Sequence, residues 1–166
     1  MTTITADYFR RATLPSHSLS ASDDLYLHDT KRIAGDAASS LPARALADLA
    51  RVAREGAKEG WDGYHAKPVT LTTCDRVRAF LSGLPLWMSA PDIVPEADGE
   101  IAIEWYVAPD QTFSISIGES GPLHYAGLFG HDEEVHGVAP FSDNVPQNVL
   151  QFISDLLRSP AARRAA

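Results

Sequence analysis

The chain has 166 residues, of which 45% are hydrophobic and 22% are charged, with 22 Asp and Glu against 14 Lys and Arg. This length and composition suit one globular domain and exclude an intrinsically disordered chain. The formal net charge of −8 disfavours nucleic acid as a principal ligand, because an acidic protein repels the phosphate backbone.

The chain contains a single cysteine, Cys74. An intramolecular disulfide and a cysteine-rich zinc site are therefore excluded, and a reducing, cytoplasmic location fits. No stretch approaches the roughly 18 apolar residues that a membrane-spanning helix needs, and the first twenty residues lack the apolar core of an export signal. We expect a cytoplasmic protein without a membrane role.

Residues 1–38 mix polar and apolar residues without a sustained period, which is typical of an arm or linker. Its aromatic residues suggest that part of it docks on the domain or on a second chain. We expect a single domain over residues 39–158 and a tail over residues 159–166. The basic residues Arg158, Arg163 and Arg164 are interpreted as a solvated helix end, which favours cations.

Two helices are predicted ahead of the first strand. The stretch "LPARALADLARVAREGAKEG" places its apolar residues at helical spacing and ends at Gly60. The second helix has Thr70 as its N-cap and places one apolar stripe over Leu71, Cys74, Val77, Phe80 and Leu81. Because this stripe faces the core, Cys74 is interpreted as a packed, unreactive thiol.

Beyond these helices the apolar pattern alternates with period two, as in strands. "EIAIEWYVA", "TFSISIGES" and "PLHYAGLFG" alternate clearly, and "EEVHGVAPF" does so more weakly. The short connections predict antiparallel neighbours. "NVPQNVLQFISDLLRSP" then predicts a last helix. The expected fold is α+β: two N-terminal helices, an antiparallel meander of about four strands and a C-terminal helix, with the helices packed on one face of the sheet.

The connection between the first two helices reads "GWDGYHAKPV". Asp62 and Gly63 form a turn pair, and Pro68 keeps the residue before it extended. Trp61 and Tyr64 are interpreted as anchors that hold this turn against the domain, the alternative being that the two rings contact a ligand.

The same connection resembles a motif, W-D-(G/S)-Y-G-A-x-P, of an uncharacterised family of small bacterial proteins. The resemblance covers residues 45–157 and leaves the N-terminal arm unmatched. His65 departs from the motif, in which glycine is usual. The resemblance implies an α+β domain of bacterial origin that acts beside a partner gene, as antitoxin-like or accessory proteins do. The matching positions are Trp61, Asp62, Tyr64, Ala66, Pro68, Pro95, Gly99, Glu104 and Trp105.

Motifs for catalysis or metal binding are missing from the sequence. In "HDEEVH" the histidines His131 and His136 are five residues apart. On a strand their side chains would point to opposite faces, and the spacing also differs from the H-E-x-x-H motif of zinc enzymes. The chain also lacks the nucleophile motif G-x-S-x-G and the phosphate-binding glycine motifs. We therefore predict no cofactor and no metal site.

The leading hypothesis is a non-enzymatic protein-interaction module that serves as the neutralising (antitoxin-like) or regulatory half of a two-gene system and binds a protein partner or a second copy of itself. The alternative is a small metal-dependent or acid/base hydrolase that uses Asp62, Glu104 and either His124 or His131. The residues predicted to bind a partner are Trp61, Asp62, Tyr64, Glu104, Tyr106 and His124.

Overall fold

The structure is a computed structural model that describes residues 41–142 and 144–159. In these residues two helices precede a sheet of five strands and a third helix follows it. The predicted arm at residues 1–38 and the predicted tail beyond Ser159 lie outside the described residues. The elements are α1 (Leu41–Glu55), α2 (Leu71–Ser82), β1 (Asp92–Pro95), β2 (Ile101–Ala108), β3 (Gln111–Ile117), β4 (Leu123–Phe129), β5 (Glu134–Ala139) and α3 (Gln147–Arg158).

The α+β class predicted from the sequence is confirmed, with two corrections. The sheet has five strands rather than about four, because Asp92–Pro95 forms a short first strand. Four residues ending in a proline are too few to show an alternating pattern, so the sequence hid this strand inside a loop. The description of α1 and α2 as N-terminal is also wrong for the chain as a whole, since α1 begins only at Leu41.

The sheet is a simple antiparallel meander in the order β1-β2-β3-β4-β5. The register places Ile103 of β2 opposite Ile93 of β1 and Ile115 of β3. All three side chains are buried, with at most 2% exposure. Side chains of successive residues point to opposite faces of a sheet, so this register sends one face into the core and fixes which residues lie on the other, the outer face.

The core is formed where the inner face of the sheet meets the three helices. One cluster of buried residues joins Ile101 and Phe113 of the sheet to Val52 of α1, Phe80 of α2 and Ile153 of α3. Burying a large apolar side chain stabilises a fold by about 1.5–3 kcal/mol, so this cluster is the main source of stability. None of the described helices combines the length and the apolar character that a membrane crossing would require.

Helix α1 is shorter than the sequence pattern predicts, since it ends at Glu55 and not at Gly60. The reason is a close crossing of two backbone segments. Gly56 accepts a hydrogen bond from the backbone N–H of Val69 at 2.8 Å, and a Cβ at Gly56 would lie 2.8 Å from the Val69 side chain. Helix α1 therefore ends beside Gly56, because a larger residue at this position would clash with the Val69 side chain.

Helix α2 begins as the sequence predicts. Thr70 Oγ1 accepts a hydrogen bond from the backbone N–H of Thr73 at 3.1 Å, which is an N-cap. Cys74 is buried, and burial raises the pKa of its thiol. Leu71 departs from the predicted stripe, since it is 81% exposed at the first position of the helix.

Arg76 fastens α2 to the loops at one end of the sheet. Its guanidinium donates hydrogen bonds to the carbonyl oxygens of Gly118, Gly121 and Phe141. It also lies over the ring of Phe141, with 5.5 Å between Cζ and the ring centroid. One side chain thus satisfies three carbonyl groups from two separate loops, which is a structural use of arginine.

Candidate functional site

The connection between α1 and α2 holds itself together with its own side chains. Asp62 Oδ1 accepts hydrogen bonds from the backbone N–H groups of Tyr64 (2.8 Å) and Ala66 (3.2 Å). Trp61 Nε1 donates to the carbonyl oxygen of Lys67 at 3.1 Å. Trp61 and Asp62 therefore shape this loop, whereas the Tyr64 ring is 82% exposed and free of such a task in the described contacts.

This connection packs against the turn between β1 and β2. The backbone N–H of Lys67 donates to the carbonyl oxygen of Ala97 at 2.8 Å. Gly99 has a φ of +90°, and a Cβ there would lie 3.0 Å from the carbonyl oxygen of Pro68. The two stretches that carry the family resemblance, around Trp61 and around Gly99, therefore meet in the folded chain.

The turn between β1 and β2 brings three carboxylates together. Glu96 and Glu100 are joined through a backbone hydrogen bond of 2.9 Å, and Asp98 Oδ1 accepts from the backbone N–H of Glu100 at 3.2 Å. One oxygen of each of the three side chains lies within 4.8 Å of the others. Hard cations such as Ca²⁺ take six to eight oxygen ligands, so three carboxylates alone assign no metal.

Ser116 lies between two of these carboxylates. It is only 2% exposed, and its Oγ contacts one oxygen of Glu96 and one oxygen of Glu100. A hydroxyl carries one proton and can donate to only one of them. The other contact is a hydrogen bond when Glu96 is protonated and donates to Ser116 Oγ. The arrangement therefore fits a proton on Glu96, with Ser116 donating to Glu100.

The electrostatics of Glu96 agree with a proton on this carboxyl. Burial raises the pKa of this carboxyl to about 7, the hydrogen bond from Ser116 opposes the rise, and the nearby charges of Asp98, Glu100 and Glu104 add to it. An ordinary glutamate is ionised well below neutral pH. Glu96 is thus half protonated near pH 7, next to an outer face that carries further acidic groups.

The outer face of the sheet is acidic along its β1–β2 side. Asp92 lies directly opposite Glu104 in the register, and Glu104 Oε1 accepts a hydrogen bond from Ser114 Oγ at 3.3 Å. Like charges placed directly opposite each other destabilise a sheet. No Lys or Arg occurs between Arg78 and Arg158, so no such side chain from the sheet compensates this charge.

The centre of the outer face is lined by small, buried residues, and an exposed valine lies on each side of it. Ala102, Ser116 and Ala126 are buried although they point to the outer face. Val94 on β1 and Val138 on β5 lie in register with this centre and are 44% and 58% exposed. The result is a shallow trough with a small-residue floor, with acidic groups toward β1 and an exposed valine on either side.

Three of the residues predicted to bind a partner lie on this face. Glu104 and Tyr106 are on β2 and His124 is on β4, and the Tyr106 ring is 65% exposed. Glu104 and His124 are two strands apart and one pair of residues out of step, which puts their Cα atoms on the order of 12 Å apart. They share a surface without forming a hydrogen-bonded pair among the described contacts.

The residues of the hydrolase alternative are used elsewhere. Asp62 Oδ1 is engaged by two backbone groups of its own loop. His131 is 91% exposed, and its Nδ1 lies 3.7 Å from Asp110 Oδ2 in the turn that precedes β3. The described contacts therefore do not join Asp62, Glu104 and a histidine into one acid/base site.

Sequence reasoning missed the group formed by Glu96, Ser116 and Glu100. Its members come from two separate stretches, and only the register of β2 and β3 brings Ser116 beside the turn. One signal was visible: the long stretch without Lys or Arg marks the whole sheet as acidic.

In comparisons with protein-family models, with curated proteins and with solved structures, nothing matches this chain.

Proposed function

We propose that the protein is a non-enzymatic protein-interaction module that binds its partner through the outer face of the sheet. The helices cover the inner face, where their buried residues join those of the sheet. The outer face keeps exposed side chains on three strands, including Val94, Tyr106 and Val138. An antiparallel sheet can leave one face open to solvent, and aromatic side chains such as that of Tyr106 are enriched in protein interfaces.

The observation that carries this proposal is the combination, on one face, of exposed apolar side chains with acidic side chains that form no ion pair among the described residues. Asp92 opposite Glu104 costs the free sheet about 0.2–1 kcal/mol. A partner that covers the face and supplies opposite charge offsets that cost. A neutralising or regulatory role toward a protein encoded beside this one, as the resemblance implies, is part of the proposal.

The test compares the complexes formed by three versions of the full chain in its native host. Ala126→Phe fills the floor of the trough, and Ala50→Phe places the same ring on an exposed position of α1. We expect the wild type and Ala50→Phe to retain the same partner and Ala126→Phe to lose it. Light scattering on each sample reports self-association.

Two controls make the outcome decisive. Circular dichroism and thermal unfolding must show that Ala126→Phe is folded, since the substitution lies on a strand. The proposal fails if a folded Ala126→Phe protein keeps every complex of the wild type, or if the wild type is a monomer with no complex. Loss of self-association in Ala126→Phe alone would make a second copy of the chain the partner.

A further inference from the structure

The spacing of charge on the outer face points to the chemistry of the partner, an inference that rests on the proposed function. Along β1, Asp92 and the turn residue Glu96 are four residues apart, which corresponds to about 13 Å in a strand. Asp92 lies opposite Glu104 of β2, and Glu96 is joined by a backbone hydrogen bond to Glu100, the turn residue that precedes β2. The face thus presents two separate pairs of acidic side chains, one of which includes Glu96 with its raised pKa.

Between these pairs lies an apolar and small-residue row. Val94 is opposite Ala102 in the register, and Ala102 is opposite Ser116. Ala102 of β2 and Ser116 of β3 are small and buried, so no large side chain on these two strands projects between the two acidic pairs. A segment lying along this side of the sheet meets charge, then a low apolar surface, then charge again.

We propose that this surface binds a partner segment with two cationic side chains about 13 Å apart and a small apolar side chain between them. In an extended segment, residues i and i+4 have this separation and point to the same side. A second copy of the same face is disfavoured as the occupant, because two anionic surfaces repel each other. Arginine suits the carboxylate pairs best, since its planar group can bind two oxygens at once.

The test is an NMR titration of the full chain with two peptides of identical composition. The probe peptide, Arg-Thr-Val-Thr-Arg, has the proposed spacing, and the spacing control, Arg-Arg-Val-Thr-Thr, has the same charge with adjacent arginines. We expect the probe to shift amide signals of β1, β2 and the turn at residues 96–100. We expect the control peptide to bind about threefold to tenfold more weakly, because it reaches only one carboxylate pair.

Matched variants separate this surface from the overall charge. Asp92→Asn with Glu104→Gln removes two charges from the face, and Glu119→Gln with Asp132→Asn removes two from exposed turns. We expect the first double variant to weaken probe binding about tenfold, since each close charge pair contributes modestly. The second double variant should bind within about twofold of the wild type.

The inference is overturned if the two peptides bind alike, if both double variants bind alike, or if the shifted signals lie away from the face. Its failure is separable from failure of the proposed function. If Ala126→Phe loses the native partner and Asp92→Asn with Glu104→Gln keeps it, the outer face is the binding surface but does not select a cationic partner. If both variants keep the partner, the outer face is not the binding surface and the proposed function fails.

Discussion

Lys67 donates its backbone N–H to the carbonyl oxygen of Ala97 at 2.8 Å, and this bond joins two turns that are distant in the sequence. One turn connects α1 to α2, and the other connects β1 to β2 and carries Glu96 and Glu100. Because the first turn is held by its own hydrogen bonds, it can act as a rigid support for the second. The acidic end of the outer face is therefore positioned by residues that do not lie on the sheet.

Gly99 is where the two turns approach most closely, and its replacement should show how much this contact matters. Its φ is +90°, and a Cβ would lie 3.0 Å from the carbonyl oxygen of Pro68. We expect Gly99→Ala to lower the free energy of unfolding by about 2–3 kcal/mol, from backbone strain and crowding together. Urea unfolding measures this change.

The matched control is Gly121→Ala. Gly121 has a similar φ of +80°, and nothing lies within 4 Å of the position of its Cβ. We expect it to lose only about 1 kcal/mol, from the unfavourable φ alone. Equal losses for the two variants would show that the contact between the turns adds no stability.

Trp61 should be needed for stability rather than for binding. Trp61→Phe keeps an aromatic ring and removes the hydrogen bond from Nε1 to the carbonyl oxygen of Lys67. We expect a loss of about 1 kcal/mol, the usual net value of one hydrogen bond. Tyr64→Phe at the exposed neighbouring ring should change stability by less than about 0.5 kcal/mol. Thermal unfolding of both variants checks this, and a larger effect at Tyr64 would reverse the assignment.

Arg76 should be the most sensitive charged residue among those described. Arg76→Met keeps the length of the side chain but leaves the carbonyl oxygens of Gly118, Gly121 and Phe141 without their donor. We expect a loss of about 3 kcal/mol, because hydrogen bonds from a charged donor contribute about 1.5–3 kcal/mol each and water replaces part of them. Chemical denaturation gives the value.

Arg78 provides the comparison on the same helix. It is more than half exposed and pairs with Asp75 one turn away. Arg78→Met should change stability by less than about 0.5 kcal/mol, as exposed ion pairs usually do. If Arg76→Met lowered stability as little as Arg78→Met, water would have to hydrogen-bond to the three carbonyl groups in the folded Arg76→Met variant.

The sequence predicted those parts of the fold that rest on a repeating pattern. Long alternating runs identified β2, β3 and β4, and the N-cap Thr70 identified the start of α2, because periodicity and caps are local properties. Strand β1 was missed because four residues carry too little pattern. The end of α1 was misplaced because Gly56 stops the helix through a contact with Val69, which only the folded chain contains.

The candidate site was predicted in part for the same physical reason. Glu104, Tyr106 and His124 could be assigned to the outer face from strand alternation alone. The contact of Ser116 with Glu96 and Glu100 could not, since it depends on the register between two strands and on the shape of a turn. Trp61 and Asp62 proved to be occupied by hydrogen bonds within their loop.

Glu96 should make stability depend on pH. Burial raises its pKa from 4.5 to about 7 in the folded chain, so between these values the native state holds a proton that the unfolded state releases. Stability from this group is therefore fully present below about pH 4.5, falls as pH rises, and is lost above about pH 7. The full change is about 3 kcal/mol, since each pKa unit corresponds to 1.36 kcal/mol.

Glu96→Gln isolates this effect, because glutamine resembles the protonated carboxyl at every pH. We expect the variant to match the wild type within about 0.5 kcal/mol at pH 4 and to exceed it by about 3 kcal/mol at pH 8. The charged groups around Glu96 are Asp98, Glu100 and Glu104, and they are unchanged in the comparison. Urea unfolding at half-unit steps of pH gives both curves.

Glu119→Gln is the control for loss of a carboxylate in general, since Glu119 is exposed in the turn between β3 and β4. Its difference from the wild type should be small and nearly independent of pH. A Glu96→Gln curve that ran parallel to the wild type would mean that Glu96 is ionised throughout and that Ser116 donates its proton without a second proton in the group. A gain that grows between about pH 4.5 and about pH 7 would instead show that the native state holds a proton on Glu96 over this range, as the burial of this carboxyl requires.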